Sequence, residues 1–434
     1  MYDLCVIGSG WAGFNASLRA SELGAKVCLI EKDAIGGTCL NRGCIPTKVL
    51  VHSCRLIKEL PHYQNFGIQV KDFSVSFEAI QSRKNQIVLD LQKGLGFELA
   101  KQKIEIRKGQ ARIISPVKIE VDGEAIEAKF IIIASGSRPQ ELSSLRFNQS
   151  NILSSDELLD LKVVPKSLLI VGGGAIGCEF ASVFSALKSE VTIVEVLEHL
   201  LPLEDLDVSK KIEMVFKKNG IKILTKTTAQ AVNLQNFEKV LVCVGRALNT
   251  EDLLSGDFKI NSDKNKIAVN EFLQTSIGNI YAAGDCIGGK LLAHVAAYEG
   301  TLAAENIFGK RSAADYSAVP NCTFTNPEVS SVGISEQQAI AQGRQILISR
   351  FDFLASGMAR ILGEAEGFIK LIADKNSDEL LGACIVGPKA CELIASLAVA
   401  IRNKLKSKDI YGTIFAHPTL SEGIHEAAKG LFGL

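Results

Sequence analysis

Residues 3–13 are Asp-Leu-Cys-Val-Ile-Gly-Ser-Gly-Trp-Ala-Gly, an apolar stretch that runs into the pattern Gly-x-Gly-x-x-Gly. A helical pattern follows, and a second apolar stretch ends in Glu31. In a βαβ unit the first glycine permits a tight turn, the second lets a pyrophosphate approach, and the third allows close helix packing. These roles fall on Gly8, Gly10 and Gly13. The sequence therefore predicts a dinucleotide-binding unit in which Glu31 accepts a hydrogen bond from a ribose hydroxyl.

The same unit recurs at residues 167–177, Ser-Leu-Leu-Ile-Val-Gly-Gly-Gly-Ala-Ile-Gly, and its second strand ends in Glu195. In each copy the acid falls 18 positions after the third glycine, Gly13 to Glu31 and Gly177 to Glu195. Two nucleotides are therefore predicted. Glu195 should accept from the 2′-hydroxyl of NAD and repel the 2′-phosphate of NADP, so NAD is favoured. The residues assigned to this second nucleotide are Gly172, Gly174, Ala175, Ile176, Gly177 and Glu195.

Residues 36–48, Gly-Gly-Thr-Cys-Leu-Asn-Arg-Gly-Cys-Ile-Pro-Thr-Lys, place two cysteines beside the first nucleotide. On a regular helix, positions i and i+5 point about 140° apart, whereas a disulfide needs Cα atoms within about 4.4–6.8 Å. We therefore expect irregular backbone at Gly43 and Pro46. A catalytic redox pair, Cys39 with Cys44, is favoured, and a zinc site or two buried thiols without function are the alternatives. The remaining cysteines are scattered mostly singly through apolar runs, which is typical of buried, reduced thiols.

Composition excludes several classes of function. The 434 residues contain 48 Lys and Arg against 48 Asp and Glu, so no bulk charge attracts nucleic acid or anionic lipid. A hydrophobic fraction of 47% provides for large cores, but no apolar run has the length of a membrane-spanning helix. The first residues, Met-Tyr-Asp-Leu-Cys, lack the basic lead of a signal peptide. We expect a cytoplasmic protein with no nucleic-acid or membrane partner and no bound metal.

A dithiol beside one nucleotide, with a second nucleotide unit in the same chain, indicates an electron relay. A flavin can take two electrons from thiolates and pass them as hydride to nicotinamide. We therefore expect FAD at the first unit and NAD at the second. Apolar strands at 130–134 and 240–244 enter the loops Ser135–Gly136 and Gly245–Arg246, which is typical of strand exits at nucleotide sites.

Beyond about residue 316 the pattern changes to short β-rich runs followed by a helical stretch, without a further phosphate loop. The runs are 346–351, 368–373 and 380–386, and the helical stretch is 390–403. This pattern indicates a separate α+β domain.

Five motifs together resemble the class I flavin disulfide reductases, and most closely their lipoamide branch. They are GGTCLNRGCIPTK at 36–48, the two nucleotide fingerprints, TSIGNIYAAGD at 275–285 and HPTLSE at 417–422. The resemblance spans the whole chain and follows the family's order. It implies oxidation of dihydrolipoyl groups by NAD+ through a redox-active disulfide and FAD. It also implies a homodimer that serves the lipoyl domain and acyltransferase core of 2-oxoacid dehydrogenase complexes, or a lipoyl carrier protein.

The fold that follows is α/β, with two Rossmann-like dinucleotide-binding domains plus a C-terminal α+β dimerisation domain. The expected bounds are 1–145 and 251–315 for a discontinuous FAD-binding domain, 146–250 for the NAD-binding domain, and 316–434 for the dimerisation domain.

The resemblance also assigns roles to individual residues. Cys39 would be the interchange thiol that meets the substrate, and Cys44 the flavin-proximal thiol. His417 would serve as acid and base for the thiol pair of the other subunit, with Glu422 orienting its ring. The remaining catalytic assignments are Lys48 near the reactive edge of the flavin and Glu179 on the nicotinamide side. Gly245 and Arg246 match the loop at the nicotinamide site. The residues assigned to the flavin are Gly8, Gly10, Gly13, Glu31, Lys32, Gly37, Thr38, Lys48, Ser135, Gly136, Asp285, Leu292, Ala293 and His294.

A few positions depart from the family pattern. Phe415 stands where many members carry another histidine, Ala247 replaces a proline, and the stretch 195–243 is shorter than usual, which suggests a trimmed β-meander. The alternatives are a related NAD(P)H-dependent disulfide reductase, a mercuric reductase, a flavin transhydrogenase, or a structural subunit without turnover. The last cysteine is Cys391, so the C-terminal pair of mercuric reductases is absent. Retention of the thiol pair argues against a purely structural role.

Overall fold

The computed structural model describes residues 1–255 and 258–433. Residues 256, 257 and 434, which fall in the predicted FAD-binding and dimerisation segments, lie outside the described residues. Backbone contacts divide the chain into two compact units. Unit 1 comprises Met1–Val49, Glu78–Gln140 and Gly245–Ala314, and unit 2 comprises Leu50–Phe77, Glu141–Val244 and Asp315–Leu434.

In the described residues the strands are β1 (Tyr2–Ile7), β2 (Val27–Glu31), β3 (Glu105–Lys108), β4 (Ala111–Ser115), β5 (Lys118–Val121), β6 (Glu124–Ile133), β7 (Ser137–Pro139), β8 (Ile152–Leu153), β9 (Ser167–Val171), β10 (Glu190–Val194), β11 (Lys222–Leu224), β12 (Lys239–Val242), β13 (Arg246–Leu248), β14 (Ser262–Asp263), β15 (Lys266–Ile267), β16 (Ile280–Ala282), β17 (Asn321–Thr323), β18 (Glu328–Gly333), β19 (Ile346–Asp352), β20 (Phe368–Asp374) and β21 (Leu380–Gly387).

The α-helices are α1 (Trp11–Glu22), α2 (Gly37–Arg42), α3 (Cys44–Glu59), α4 (Phe77–Lys101), α5 (Ser155–Leu159), α6 (Ala175–Ala186), α7 (Leu206–Lys218), α8 (Ala293–Phe308), α9 (Glu336–Ala341), α10 (Gly357–Ile361), α11 (Ala390–Arg402), α12 (Ser407–Tyr411) and α13 (Glu422–Gly430). Short 3₁₀ helices lie at Leu60–Phe66, Ala229–Ala231, Leu234–Asn236, Asp285–Ile287 and Phe353–Ala355. Within the described part of the chain, no helix combines the length and the apolarity that crossing a bilayer requires.

Unit 1 is built on a parallel sheet in the order β3-β2-β1-β6-β16, which the antiparallel strands β5 and β4 extend. Along β1, Leu4 and Val6 belong to one core cluster, whereas Cys5 and Ile7 belong to another. Because successive side chains of a strand point to opposite faces, the two clusters lie on the two sides of the sheet. A parallel sheet that is covered on both faces is apolar at successive positions for this reason.

Helices α1 and α8 cover the face of the sheet to which Leu4 points. They approach so closely that a Cβ atom at Gly300 would lie 2.0 Å from the carbonyl oxygen of Ala12. The absence of a side chain at Gly300 therefore permits the packing that holds α1, and with it the first glycine loop, against the sheet.

Unit 2 contains two sheets. One is parallel, in the order β11-β10-β9-β12-β8, with α6 connecting β9 to β10. This arrangement confirms the second βαβ unit. The other is antiparallel, in the order β17-β18-β21-β20-β19, and its strands β19, β20 and β21 and helix α11 occur where the sequence predicted them. Between β11 and β12 the described residues form two 3₁₀ turns and no strand, in the region where the sequence predicts a trimmed meander.

A buried ion cluster joins two parts of unit 2. The ammonium of Lys370, which is 1% exposed, lies 2.9 Å from Asp205, 2.8 Å from Asp207 and 2.5 Å from Glu336. Burial by itself lowers the pKa of Lys370, but the hydrogen bonds to the three carboxylates outweigh it and raise that pKa above its ordinary value. The lysine therefore stays charged and neutralises a group of acids that would otherwise repel one another.

Replacing Lys370 by methionine should destabilise unit 2 by about 3–5 kcal/mol, because the substitution leaves three facing carboxylates without their cation. The free energy of unfolding in urea measures the effect. Lys211→Met is the control, since it breaks the partly exposed Lys211–Glu366 pair, 3.1 Å apart, and should cost about 1 kcal/mol or less. Equal losses in the two variants would show that the buried cluster contributes no more than a surface pair.

Candidate active site

The first glycine loop has the conformation that its sequence predicts. Gly8 has φ +100°, and a Cβ atom there would lie 2.4 Å from the carbonyl oxygen of Ala134. A Cβ atom at Gly13 would lie 1.8 Å from the carbonyl oxygen of Gly8. Glycine is therefore required at both positions, at one by the backbone angle and at both by close approach.

The second loop repeats this geometry in unit 2. Gly172 has φ +113° and approaches the carbonyl oxygen of Cys243, and Gly177 packs onto the carbonyl oxygen of Gly172. Helix α6 begins after Gly174, as α1 begins after Gly10, and neither N-terminus has a side-chain cap. The backbone N–H groups of both helix starts are therefore available to a phosphate.

Glu31 and Glu195, the acids at the ends of the second strands, each hold the adjacent glycine loop. The sequence does not predict these contacts. Glu31 accepts from the backbone N–H and the hydroxyl of Ser9, both at 2.7 Å, and from the N–H of Asp33 at 2.8 Å. Glu195 accepts from the N–H of Gly173 at 2.6 Å and from the N–H of Leu197 at 2.8 Å. A carboxylate offers about four acceptor positions, so each acid can still accept from a ribose hydroxyl.

The two candidate redox cysteines meet at a break between two helices. Cys39 lies in α2 and Cys44 begins α3, with Gly43 between them at φ −144° and ψ −110°. The irregular backbone that the spacing requires thus falls at Gly43. The expectation for Pro46 is wrong, since this residue lies in the first turn of α3, where proline fits a regular helix.

The thiols of Cys39 and Cys44 share a hydrogen bond. This bond, together with burial, raises the pKa of Cys39 well above its ordinary value, while the ammonium of Lys48 acts in the opposite direction. Both cysteines are partly buried. The two thiols are therefore close enough to act as one redox pair.

The side chain of Asn41 fixes the cysteine-bearing helix α2. Its Nδ2 donates to the carbonyl oxygens of Ala34, Ile35 and Gly37 at 3.2, 3.1 and 2.9 Å. Thr38 is oriented by a hydrogen bond of 3.4 Å from its hydroxyl to the carbonyl oxygen of Ser137. Cys39 is thus held on a short helix that is tied on both sides to the rest of unit 1.

Asp285 is part of a polar cluster in unit 1. The hydroxyl of Ser137 donates to its carboxylate, and Arg246 lies 3.8 Å from it. Arg246 also donates to the hydroxyl of Ser137 at 2.6 Å and to its carbonyl oxygen at 2.9 Å. The structure therefore brings together two residues that the sequence assigned to different nucleotides, Asp285 and Arg246.

The remaining assigned residues of unit 1 lie in loops or at helix starts. Gly136 and Gly245 have positive φ angles of 70° and 140°, and Lys32 is exposed. Leu292 has extended backbone at the N-cap of α8, and Ala293 and His294 form the first turn of this helix. Among the described residues, the buried hydroxyl of Ser135 has no oxygen or nitrogen partner.

His417 and Glu422 form an exposed pair in unit 2. The Nδ1 atom of His417 lies 2.7 Å from Glu422, whose second oxygen accepts from the N–H of Thr419 at 2.8 Å. The Thr419 N–H and the contact with His417 lower the pKa of Glu422. The imidazole is 81% exposed, so its other nitrogen faces outward on a fixed ring.

Glu179 lies in α6 and is 5% exposed. It accepts a hydrogen bond of 2.9 Å from the backbone N–H of Phe324, just after β17. Lys48 belongs to unit 1, where it lies one turn after Cys44 in α3.

The structure adds residues that the sequence analysis missed. Ser9, Ser137 and Trp11 contact the predicted site residues, and Glu299 holds the backbone before Asp285 by accepting from the N–H of Gly284 at 2.7 Å. A carboxylate within a mostly apolar helical stretch was the available signal for Glu299, which is 3% exposed, whereas Ser137, which is 4% exposed, stands in a polar stretch of sequence and gave no such signal.

Comparison with known proteins identifies the family. Residues 2–300 match the family described as pyridine nucleotide-disulphide oxidoreductase, and residues 319–428 match its dimerisation domain. The chain is 40% identical to the dihydrolipoyl dehydrogenase of Chlamydia pneumoniae over 98% of this chain and 96% of that protein. It is 36% identical to a dihydrolipoyl dehydrogenase of Bacillus subtilis over 100% and 98% of the two chains.

A solved structure agrees with these relatives. LpdA from Mycobacterium tuberculosis superimposes with a TM-score of 0.91 at 27% identity and 99% coverage of both chains. Proteins of this kind are oxidoreductases that use FAD and NAD(H) and act on sulfur groups. The α/β fold with two dinucleotide-binding regions and a C-terminal dimerisation domain is thereby confirmed, and the chain belongs to the pyridine nucleotide-disulphide oxidoreductase family.

Proposed function

We propose that the chain oxidises dihydrolipoyl groups with NAD+ through the Cys39/Cys44 pair and FAD. The single observation that carries this proposal is the thiol pair that meets at the break between α2 and α3, beside a glycine loop built for a nucleotide. The full-length similarity to dihydrolipoyl dehydrogenases supports the substrate class.

The two thiols are proposed to have separate roles. The hydrogen bond with Cys44 and burial raise the pKa of Cys39, which supports Cys39 as the protonated thiol of the reduced pair. In this proposal Cys44 is the thiol beside the flavin, and Cys39 is the thiol that exchanges with the substrate. Lys48, which lowers the pKa of Cys39, supplies the positive charge that favours an anionic pair.

The residues of unit 1 fit FAD. The uncapped start of α1 after Gly10 suits its pyrophosphate, Gly8 and Gly13 permit the turn and the packing that shape this loop, and Glu31 retains acceptor capacity for its ribose. Asp285, held by Ser137, would bind the ribityl chain, and the start of α8 would lie near the pyrimidine end of the ring. When bound, FAD takes the electron pair of the dithiol and passes it to NAD+.

The remaining cofactor assignments belong to the same proposal. Lys32, Gly37, Thr38, Ser135 and Gly136 would line the flavin, and Gly245 and Arg246 the nicotinamide. Gly172, Gly174, Ala175, Ile176, Gly177 and Glu195 would bind NAD, with Glu179 on the nicotinamide side. The corresponding domains are 1–145 with 251–315 for FAD, 146–250 for NAD and 316–434 for dimerisation.

His417 is proposed as the acid and base of substrate oxidation. Glu422 fixes its ring through Nδ1, which leaves Nε2 to take a proton from a dihydrolipoyl thiol so that a thiolate can attack Cys39. In the proposed homodimer each His417 serves the thiol pair of the partner, and the match to a dimerisation domain supports this arrangement. The lipoyl groups would come from 2-oxoacid dehydrogenase complexes or a lipoyl carrier protein in the cytoplasm.

Glu195→Gln should reduce the preference for NAD+ over NADP+, measured as the ratio of the two kcat/KM values, by about ten-fold or more. A charged acceptor in a hydrogen bond contributes about 1.5–3 kcal/mol, and its charge also repels a 2′-phosphate. The amide keeps one oxygen for the loop N–H groups. Glu31→Gln is the matched control in the other loop, and it should weaken FAD retention without changing the ratio. An unchanged ratio in Glu195→Gln would refute the assigned role.

An anaerobic visible spectrum of the purified protein, titrated with dihydrolipoamide and then NAD+, tests the proposed function. We expect a bound flavin that develops a long-wavelength thiolate-to-flavin band and is reoxidised by NAD+. A band with NADH and no response to dihydrolipoamide would keep the disulfide reductase and refute the substrate.

A further inference from the structure

Unit 2 contains a second pair of partly buried thiols, Cys322 and Cys391. Cys322 is the central residue of β17, and Cys391 lies in the first turn of α11. The Sγ atom of Cys322 lies 3.9 Å from the carbonyl oxygen of Cys391, and the Sγ atom of Cys391 lies 3.6 Å from the carbonyl oxygen of Val329 on the neighbouring strand. The two side chains therefore face the same small space between β17 and α11.

The two thiols interact as Cys39 and Cys44 do. Cys391 and Cys322 interact through a side-chain hydrogen bond, and this interaction, followed by burial, raises the pKa of Cys391 well above its ordinary value. A third pair, Cys5 and Cys28, also shares a hydrogen bond across β1 and β2, but both of its residues are 0% exposed. Partial exposure thus sets the Cys322–Cys391 pair apart from the one that is sealed inside the sheet.

We propose that Cys322 and Cys391 form a second dithiol–disulfide couple, which low-molecular-weight disulfides oxidise. The thiolate of Cys322 attacks one sulfur of the small disulfide, forms a mixed disulfide and releases one thiol. Cys391 then attacks the sulfur of Cys322, forms the internal disulfide and releases the second thiol. The two protein protons end on the two released thiols, and the electron pair of the protein dithiol reduces the small disulfide.

The couple lies beside Glu179. The charge of Glu179, with that of Glu328, contributes to the raised pKa of Cys391, and Glu179 accepts the N–H of Phe324, two residues after Cys322. The N–H of Cys391 donates to Glu328 at 3.1 Å. A covalent link between β17 and α11 would therefore act on the backbone that positions Glu179. This step rests on the proposed role of Glu179 at the nicotinamide.

Peptide mapping of the flavin-loaded protein after exposure to oxidised glutathione tests the couple. Trypsin separates the cysteines, because Cys322 falls in residues 312–344 and Cys391 in residues 390–402, with no other cysteine in either peptide. We expect a cross-linked species of these two peptides that dithiothreitol reverses. Cys322→Ser and Cys391→Ser should each lose it and show a glutathione adduct on the remaining cysteine.

The same digest contains both reference pairs. Cys39 and Cys44 fall in separate peptides, 33–42 and 43–48, and report whether the oxidant reached a reactive dithiol. Cys5 and Cys28, in peptides 1–19 and 27–32, are the control for burial and should stay unlinked. The proposal would be overturned by a sample in which Cys39 and Cys44 are linked but Cys322 and Cys391 are not. Cys322 and Cys391 would then be either unmodified or present only as glutathione adducts.

The link to Glu179 has a separate readout. Oxidised and dithiothreitol-treated protein should differ in the KM for NAD+ by about five-fold or more, with the KM for dihydrolipoamide unchanged, and Cys322→Ser should show no difference. An equal KM for NAD+ in the cross-linked and reduced protein would overturn the coupling to the nucleotide site. The peptide map needs no turnover, so a failure of the proposed function leaves the test of the couple intact.

Discussion

Cys44→Ser should lower the turnover of dihydrolipoamide with NAD+ by about 10⁴-fold or more, because no disulfide can form and the electron pair has no route from sulfur to flavin. Steady-state kinetics measures the loss. NADH oxidation by an artificial electron acceptor should persist, since it does not need the thiol pair. Loss of both activities together with the flavin would point to misfolding, and the proposed relay would then be tested with Cys39→Ser.

The two single variants should differ in their spectra. Cys39→Ser keeps the proposed flavin-facing thiolate, so we expect a long-wavelength band without reductant, whereas Cys44→Ser should lack it. This difference follows from the proposed roles of the two thiols, Cys44 beside the flavin and Cys39 at the substrate. A band in Cys44→Ser and none in Cys39→Ser would reverse the assigned roles.

Cys54→Ala is the matched control for both thiol variants. Cys54 lies on the same helix as Cys44, is 3% exposed, and has a pKa raised by burial to about 12, so it stays a protonated thiol at neutral pH. We expect full turnover and an unchanged spectrum. A loss of activity comparable to that of Cys44→Ser would show that the effect reflects damage to α3 rather than to the redox pair.

His417→Gln should lower kcat for dihydrolipoamide oxidation by about 10²–10⁴-fold, the usual contribution of a general acid–base group. The substrate thiol has a pKa well above neutrality, so without the imidazole few molecules carry the attacking thiolate. The pH profile of kcat separates this role from a structural one, because rising pH should partly rescue the variant by ionising the substrate.

His425→Gln is the control for His417. His425 contacts the backbone carbonyl of Tyr411 at 3.1 Å and stacks on its ring, so its loss should change kcat little and leave the pH profile intact. Similar profiles for both variants would contradict the assignment of the base to His417.

Glu422→Gln should reproduce part of the His417 defect. The pKa of Glu422 is lowered, first by the N–H of Thr419 and then by His417, so its carboxylate persists as the pH falls below its ordinary pKa. The stabilisation that the ionised form gives the loop is therefore present above the ordinary carboxyl pKa and is lost as the pH falls through the lowered value. The wild-type pair should thus remain intact throughout the neutral range.

Much of the fold was predictable from local patterns. The two βαβ units follow from apolar strands, three glycines and a terminal acid, since each of these acts within about 30 residues of chain. The strands β19, β20 and β21 were likewise visible as short apolar runs. The segment 36–48 carried the redox pair for the same reason, because its spacing and its glycines act locally.

Part of the candidate site was not predictable, because it depends on residues that are distant in the chain. In one polar cluster Ser137 contacts Asp285 and Arg246, both of which follow it by more than 100 residues in the chain. The sequence assigned Asp285 and Arg246 to different nucleotides. Lys370 stands in an apolar strand whose sequence shows nothing of Asp205, Asp207 and Glu336.

The sequence by itself determined the family and the nucleotide loops, since these depend on short stretches whose backbone requirements only glycine meets. The tertiary structure alone decided that Cys39 and Cys44 meet at the break between α2 and α3 and that Glu31 and Glu195 hold their own loops. It also decided that Cys322 meets Cys391. The physical reason is that hydrogen bonds and charges act over a few ångströms in space, and only the packed chain brings their partners within that distance.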